Sequence, residues 1–115
     1  QKERIDSMDI EIEVDAVKQL IDDDADFVLL DCREQEEWDL VHIDGALLIP
    51  MSEIQQRVGE LTKHKDVHIV VQCHHGGRSL QVAHWLRNQG FDQSQSMRGG
   101  IDVWSQEIDS SLPRY

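Results

Sequence analysis

Cysteine, proline and aromatic residues are scarce in this chain, acidic residues outnumber basic ones about two to one, and long apolar runs are missing. Each shortage excludes something. Two cysteines are too few for the disulfide framework of a small secreted domain, and no paired Cys/His spacing of a zinc site is present. No apolar stretch approaches the ~20 residues of a membrane span, and the N-terminus lacks the basic-then-apolar pattern of a signal peptide. The expected location is the cytoplasm. The 11 Lys and Arg against 23 Asp and Glu give a formal net charge of −12, which argues against a nucleic-acid partner, because binding there needs a basic face. The excess is local. Residues 1–45 hold 16 acidic and 4 basic side chains, residues 46–115 hold 7 of each. With a Debye length of ~8 Å, the acidic part need not repel a small anion from the neutral part.

What remains is the pattern of one ordinary globular domain of 115 residues. Residues 1–8 are polar and read as a linker or a cloning remnant, leaving 9–115 as the domain. Ile10, Ile12 and Val14 alternate with Glu11 and Glu13, as in a strand with one wet face. Asp15 is expected to cap a helix with Val17, Leu20 and Ile21 inside. Phe27-Val28-Leu29-Leu30 does not alternate, which fits a strand covered on both faces. Helix formers run from Glu34 to Leu40, with Trp38 as the expected core anchor. A short apolar run from Ala46 to Ile49 ends at Pro50, and Ser52 is expected to cap a helix presenting Ile54, Val58 and Leu61. Val67 to Val71 reads as a further strand, Val82, Ala83 and Leu86 as the inner face of a helix stopped by Gly90, and Ser94 to Met97 as a weak, polar strand. Gly99-Gly100 opens a last helix with Ile101 and Trp104, and Ser110 to Tyr115 reads as a tail. Strands alternating with helices predict a small parallel-sheet α/β sandwich.

The chemistry concentrates in Cys73-His74-His75-Gly76-Gly77-Arg78-Ser79, between a strand and a helix. Such a turn directs successive backbone N–H groups at one point, with the positive end of the helix dipole behind them. Cys73 stands at its mouth. A thiol shifted there from pKa ~8.5 to ~6.5 would be roughly 75% ionised at neutral pH instead of roughly 3%. Arg78 suits an oxyanion, or suits fixing the loop through a carboxylate or carbonyl. Gly76-Gly77 argues for positive φ or close backbone approach at both glycines. The plain alternative is a strand-to-helix turn around a buried cysteine. His74 and His75 are expected to shape the rim rather than hold a metal, since neighbours on a tight loop seldom face one ion and no third ligand follows at useful spacing. Asp31 and Arg33 end their own strand on the same sheet edge and could support the cradle, or form a salt bridge between themselves or with Glu37. Cys32 reads as a small buried hydrophobe or as a resolving thiol for Cys73.

Three stretches together resemble the rhodanese homology domain. They are Leu30-Asp31-Cys32-Arg33 with Glu37 and His42-Ile43-Asp44-Gly45-Ala46; Cys73, Gly76, Arg78 and Ser79 in a C-x-x-G-x-R-S loop; and Gly99-Gly100 with Trp104. Val41 stands where the family usually has glycine, and Cys32 where valine is commoner. The resemblance implies a three-layer α/β/α sandwich with a mainly parallel five-stranded sheet. It further implies a sulfurtransferase in which Cys73 carries a persulfide, His74, His75, Gly76, Gly77, Arg78 and Ser79 bind the substrate, and no cofactor is used. The donor would be thiosulfate or another small sulfur-containing anion, and the acceptor cyanide, a thiol, a thioredoxin-like protein or a sulfur-carrier protein. Other functions sit on the same fold. Phosphatases place five residues between cysteine and arginine, whereas four stand here. Arsenate reduction, or a binding and regulatory module of a larger protein, is the further alternative.

Overall fold

The computed structural model describes residues 8–115, so the expected linker lies outside the described residues except for Met8. Met8 is tied to the domain, its carbonyl accepting from Arg87 Nη2 at 3.3 Å. Five strands form one sheet: β1 Glu11–Ile12, β2 Phe27–Asp31, β3 Leu47–Leu48, β4 His68–Gln72 and β5 Ser94–Met97. All pairs are parallel, in the order β1-β5-β4-β2-β3. The helices are α1 Val14–Asp22, α2 Gln35–Leu40, α3 Ile54–Arg57, α4 Gly77–Asn88 and α5 Gly100–Glu107.

Side chains two apart along a strand share a face, and this alternation makes two cores. Leu30, Ile69 and Val71 pack with Ile54 of α3 and Val82, Ala83 and Leu86 of α4. Leu29 and Val70 pack on the other face with Val14 and Val17 of α1 and Ile101 and Trp104 of α5. The result is the expected α/β/α sandwich. Each such side chain taken fully out of water contributes about 1.5–3 kcal/mol. The stop of α4 is also as expected: Gly90, at φ +97°, lets Phe91 N–H reach the Leu86 carbonyl at 3.0 Å. Among the described residues no helix is long and apolar enough to cross a membrane.

Several local expectations give way to tertiary packing. The first strand shrinks to two residues because Val14 is already the buried start of α1, whose N-cap is Glu13 rather than Asp15. Ser52 caps no helix. The segment begins as a 3₁₀ turn after Pro50, and the Ser52 hydroxyl donates instead to Glu34 Oε1 at 2.9 Å. The continuous helix expected through Leu61 is broken into a 3₁₀ turn, α3 and a second 3₁₀ stretch, although Ile54 and Leu61 are buried. Trp38 is only half-buried and lies flat on His42, ring centroids 3.8 Å apart. The polar β5 is fully interior because it runs between β1 and β4; Gln95 Nε2 donates to the Asp9 carbonyl at 2.8 Å and Ser96 Oγ pairs with Ser79 Oγ, while the Ser94 hydroxyl is buried without a partner among the described residues. Ser110 to Tyr115 is no free tail, since Leu112 packs on the second core and Tyr115 returns to the edge where β2 and β4 end.

Candidate active site

The ends of β2 and β4, adjacent in the middle of the sheet, place the chemistry-bearing residues together. Register pairs Asp31 with Gln72, and Cys32 N–H donates to the Gln72 carbonyl at 3.1 Å. Cys32 and Cys73 are therefore lateral neighbours. After Cys73 the chain turns through Gly76, at φ +108°, which is the N-cap of the twelve-residue α4. A side chain at Gly76 would be strained by that φ and would press on Gly99 N at 3.2 Å.

The turn aims donors at sulfur. Cys73 Sγ accepts from Gly76 N–H at 3.1 Å and Ser79 N–H at 3.3 Å, and Ser79 Oγ lies 3.4 Å away. Ser79 Oγ is itself 2.7 Å from Ser96 Oγ on β5, so one hydroxyl can face sulfur while the other supports it. Cys73 is held down to a pKa of about 5, first by the hydrogen bond from Cys32, then by Ser79 and the Gly76 amide, against an opposing push from burial. Cys32 moves up, because its hydrogen bond to Cys73 holds the proton and burial disfavours its anion. The Gly76 and Ser79 amides aim at Cys73 Sγ, which favours the anion on Cys73 and the proton on Cys32. The loop is clamped from below by α5, whose Ile101 N–H reaches the Cys73 carbonyl at 2.8 Å and Asp102 N–H the His74 carbonyl at 3.1 Å. Gly100 permits this approach; a Cβ there would collide with both carbonyls.

The other expected residues divide. Gly77 opens α4 with free space around it and no positive φ, so only the first of the two glycines meets the expectation. Arg78 is committed to fixing the loop: its Nη1 and Nη2 donate to Glu37 Oε1 and Oε2 at 2.7 and 2.8 Å. His74 is stacked between His75 and Tyr115, at centroid distances of 3.8 and 3.9 Å. His75 is the exposed end of that stack. Arg33 and Asp31 form a salt bridge of 2.7 Å with both side chains fully buried. The third metal ligand that spacing does not offer is brought in by folding, since His74, His75 and Asp102 offer atoms within 4.8 Å of one another. Asp102 is already taken by the Arg114 guanidinium, at 2.8 and 3.2 Å.

Two participants escaped the sequence reading. Tyr115 donates its hydroxyl to Glu37 Oε2 at 2.6 Å and accepts from Arg33 Nη1 at 3.0 Å, linking the buried pair to the Arg78 clamp. Burial and the Glu37 carboxylate raise its phenol to about 12, with Arg33 opposing. Ser96 supports Ser79 from β5. Neither carries a local signal, being 78 and 17 residues from its partner.

Arg78 above all, helped by Tyr115, lowers the Glu37 carboxyl to about 2. A carboxyl depressed on folding stabilises the protein above its unfolded value near 4.5, and that contribution is lost as pH falls through about 2. Glu37→Gln should therefore be less stable than wild type at neutral pH, and the gap should close as pH drops from 4.5 toward 2. Urea midpoints across that range check it; a constant gap would show that the carboxylate charge is not what holds Arg78.

The family model described as a rhodanese-like domain matches residues 13–107. The putative sulfur carrier protein YrkF of Bacillus subtilis is 36% identical over 95 residues, covering 83% of this chain and 50% of YrkF. A sulfurtransferase of Allochromatium vinosum is also 36% identical over 95 residues, covering 83% of this chain and 87% of that protein. The chain spans only half of YrkF and 24% of the probable adenylyltransferase/sulfurtransferase MoeZ of Mycobacterium tuberculosis. Among solved structures, a rhodanese-like domain protein from Staphylococcus aureus superposes with a TM-score of 0.77 at 27% identity, over 91% of this chain and 97% of that one. A human single-domain sulfurtransferase shares the fold, with a TM-score of 0.75 at 23% identity, over 87% of this chain and 98% of that one. Most of the sequence matching the family model, on a sheet with the cysteine loop at its edge, shows that this chain belongs to the rhodanese-like domain family.

Proposed function

We propose that the chain is a sulfurtransferase that moves sulfane sulfur from thiosulfate or a similar anion, through a persulfide on Cys73, to cyanide or a thiol. One observation carries the reading: the Gly76 and Ser79 amides converge on Cys73 Sγ at the N-terminus of α4. They stabilise a sulfur anion, and with a pKa of about 5 roughly 99% of Cys73 is thiolate at neutral pH. The thiolate attacks the outer sulfur of thiosulfate, an S–S bond forms to Sγ, and the old S–S bond breaks with its electron pair leaving on sulfite. The covalent intermediate divides one transfer into two. Cys73 is 1% exposed, so the loop must open to admit a donor. The acceptor is a thiol-bearing molecule, with thioredoxin-like and sulfur-carrier proteins as the macromolecular candidates, and free thiols suit a reducing compartment such as the cytoplasm.

Arg78 acts here by holding the loop and not by touching the donor, because its guanidinium is already bound to Glu37. A phosphoryl group would find no free guanidinium at this loop.

Intact-mass measurement tests the proposal. Thiosulfate should add the mass of one sulfur atom, and cyanide should remove it. The rate of loading should be flat above about pH 6 and fall below it with a midpoint near pH 5, as the thiolate protonates. Failure to load from thiosulfate and from other sulfane donors would falsify the sulfurtransferase reading.

A further inference from the structure

Nothing in the two-step transfer described above needs Cys32, a second thiol. Its surroundings are nonetheless specific. The backbone is fixed from both sides, Cys32 N–H to the Gln72 carbonyl at 3.1 Å and Met51 N–H to the Cys32 carbonyl at 2.9 Å. Parallel register sets it directly beside Cys73, and both side chains enter the same core. Cys32 is 0% exposed.

We propose that Cys32 is a positioning residue: its S–H donates to Cys73 Sγ, holding the nucleophile as a thiolate and stabilising the same anion when it is released in the second half of the reaction. The asymmetry of the site sets this direction. The Gly76 and Ser79 amides point at Cys73 Sγ, whereas Cys32 sits among hydrocarbon next to the Asp31 carboxylate. The charged groups acting on the pair are Asp31 on β2, which disfavours a Cys32 anion, and Arg78 on α4, which favours one and is the weakest of the influences on Cys32. Arg33 is neutralised by Asp31 and Arg78 by Glu37; β5 contributes the Ser96 hydroxyl through Ser79.

The consequence for the reaction rests on the sulfurtransferase reading. When an acceptor thiolate attacks the outer sulfur, a bond forms between acceptor and outer sulfur, the bond from outer sulfur to Sγ breaks, and its electron pair returns to Sγ. A better-stabilised thiolate leaves faster, while its own nucleophilicity falls by only part of the pKa change. The donated S–H therefore helps release of the loaded sulfur, at a partial cost in the nucleophilicity that drives loading. A resolving role would instead need Cys32 to lose its proton, attack Sγ of the persulfide and expel hydrosulfide, leaving a disulfide; the proton-holding position of Cys32 opposes that step.

The test titrates the Cys73 thiolate by its ultraviolet absorbance, without any sulfur donor, so it stands or falls separately from the sulfurtransferase reading. Cys32→Val conserves shape and removes the donor; Cys32→Ser restores a donor; Cys32→Ala guards against a packing fault in either, and Cys73→Ser supplies the baseline. The midpoint should rise by about one pH unit in Cys32→Val and Cys32→Ala and return toward wild type in Cys32→Ser. The pH dependence of Cys73 alkylation should move in parallel. An unchanged midpoint in Cys32→Val, or a Cys32→Ser midpoint no lower than that of Cys32→Val, would overturn the proposal. So would a Cys32–Cys73 disulfide formed with release of sulfide after loading by thiosulfate.

Discussion

Cys73→Ser should gain no sulfur from thiosulfate and should lose transfer activity by about four orders of magnitude or more. The change is one atom. A serine hydroxyl in the same cradle still accepts from the Gly76 and Ser79 amides, but those donors cannot ionise an alcohol whose pKa lies far above any working pH. Oxygen is also the poorer partner for a sulfane sulfur. The fold should survive, because the loop keeps its clamp to α5 and its Arg78 to Glu37 pair, neither of which uses the thiol. Intact mass for loading, together with thermal unfolding for integrity, separates loss of chemistry from loss of structure. A serine variant that still took up one sulfur would move the nucleophile to Cys32, the other cysteine of the chain.

Asp31→Asn should cost about 3–5 kcal/mol of stability, a large part of the ~5–15 kcal/mol available to a domain of this size. The guanidinium of Arg33 is fully buried and completely occupied. Nε and Nη2 reach Asp31 at 3.0 and 2.7 Å, Nη2 also reaches the Val41 carbonyl at 2.7 Å, and Nη1 meets Tyr115 Oη at 3.0 Å. Asparagine keeps one acceptor oxygen but no charge, leaving a buried cation uncompensated. The same pair replaced on both sides by apolar residues would cost far less, since the penalty belongs to the stranded charge and not to the lost attraction. Urea unfolding should show a lower midpoint with an unchanged slope, and the melting temperature should fall by about 10 °C or more. A loss below about 1 kcal/mol would mean that water reaches Arg33. Arg33 is tied through Tyr115 to Glu37 and so to Arg78, and Asp31→Asn should loosen the loop as well as the core. Valine at Cys32 tests the site with the fold intact; asparagine at Asp31 tests the scaffold.

Much of the sheet is legible in one dimension. Phe27–Leu30 and the run ending at Val71 lack alternation because both of their faces meet helices, and a strand covered on two sides has no wet face to mark. The Cys73 to Ser79 turn is legible for a similar reason: strand, glycine at positive φ and helix are consecutive, so its amides point at one place whatever the rest of the chain does. Helix starts are less secure. Asp15 and Ser52 carry capping chemistry, yet Val14 burial begins α1 two residues sooner, and Glu34 draws the Ser52 hydroxyl away. Trp38 looks like a core residue by size alone, but no residue of α2 is buried.

The sequence by itself determined the alternation of strands and helices, the identity of the sulfur nucleophile as a candidate and the shape of the loop around it, because each depends on neighbours within a few residues. Only the tertiary structure decided that Cys32 lies against Cys73, that Arg78 is spent on Glu37, and that Tyr115 folds back over His74 and not into solvent. These contacts follow from β2 and β4 lying side by side while the chain between and after them crosses the faces of the sheet. The order of parallel strands is set by how the faces of the whole chain are buried together, and no local spacing encodes it.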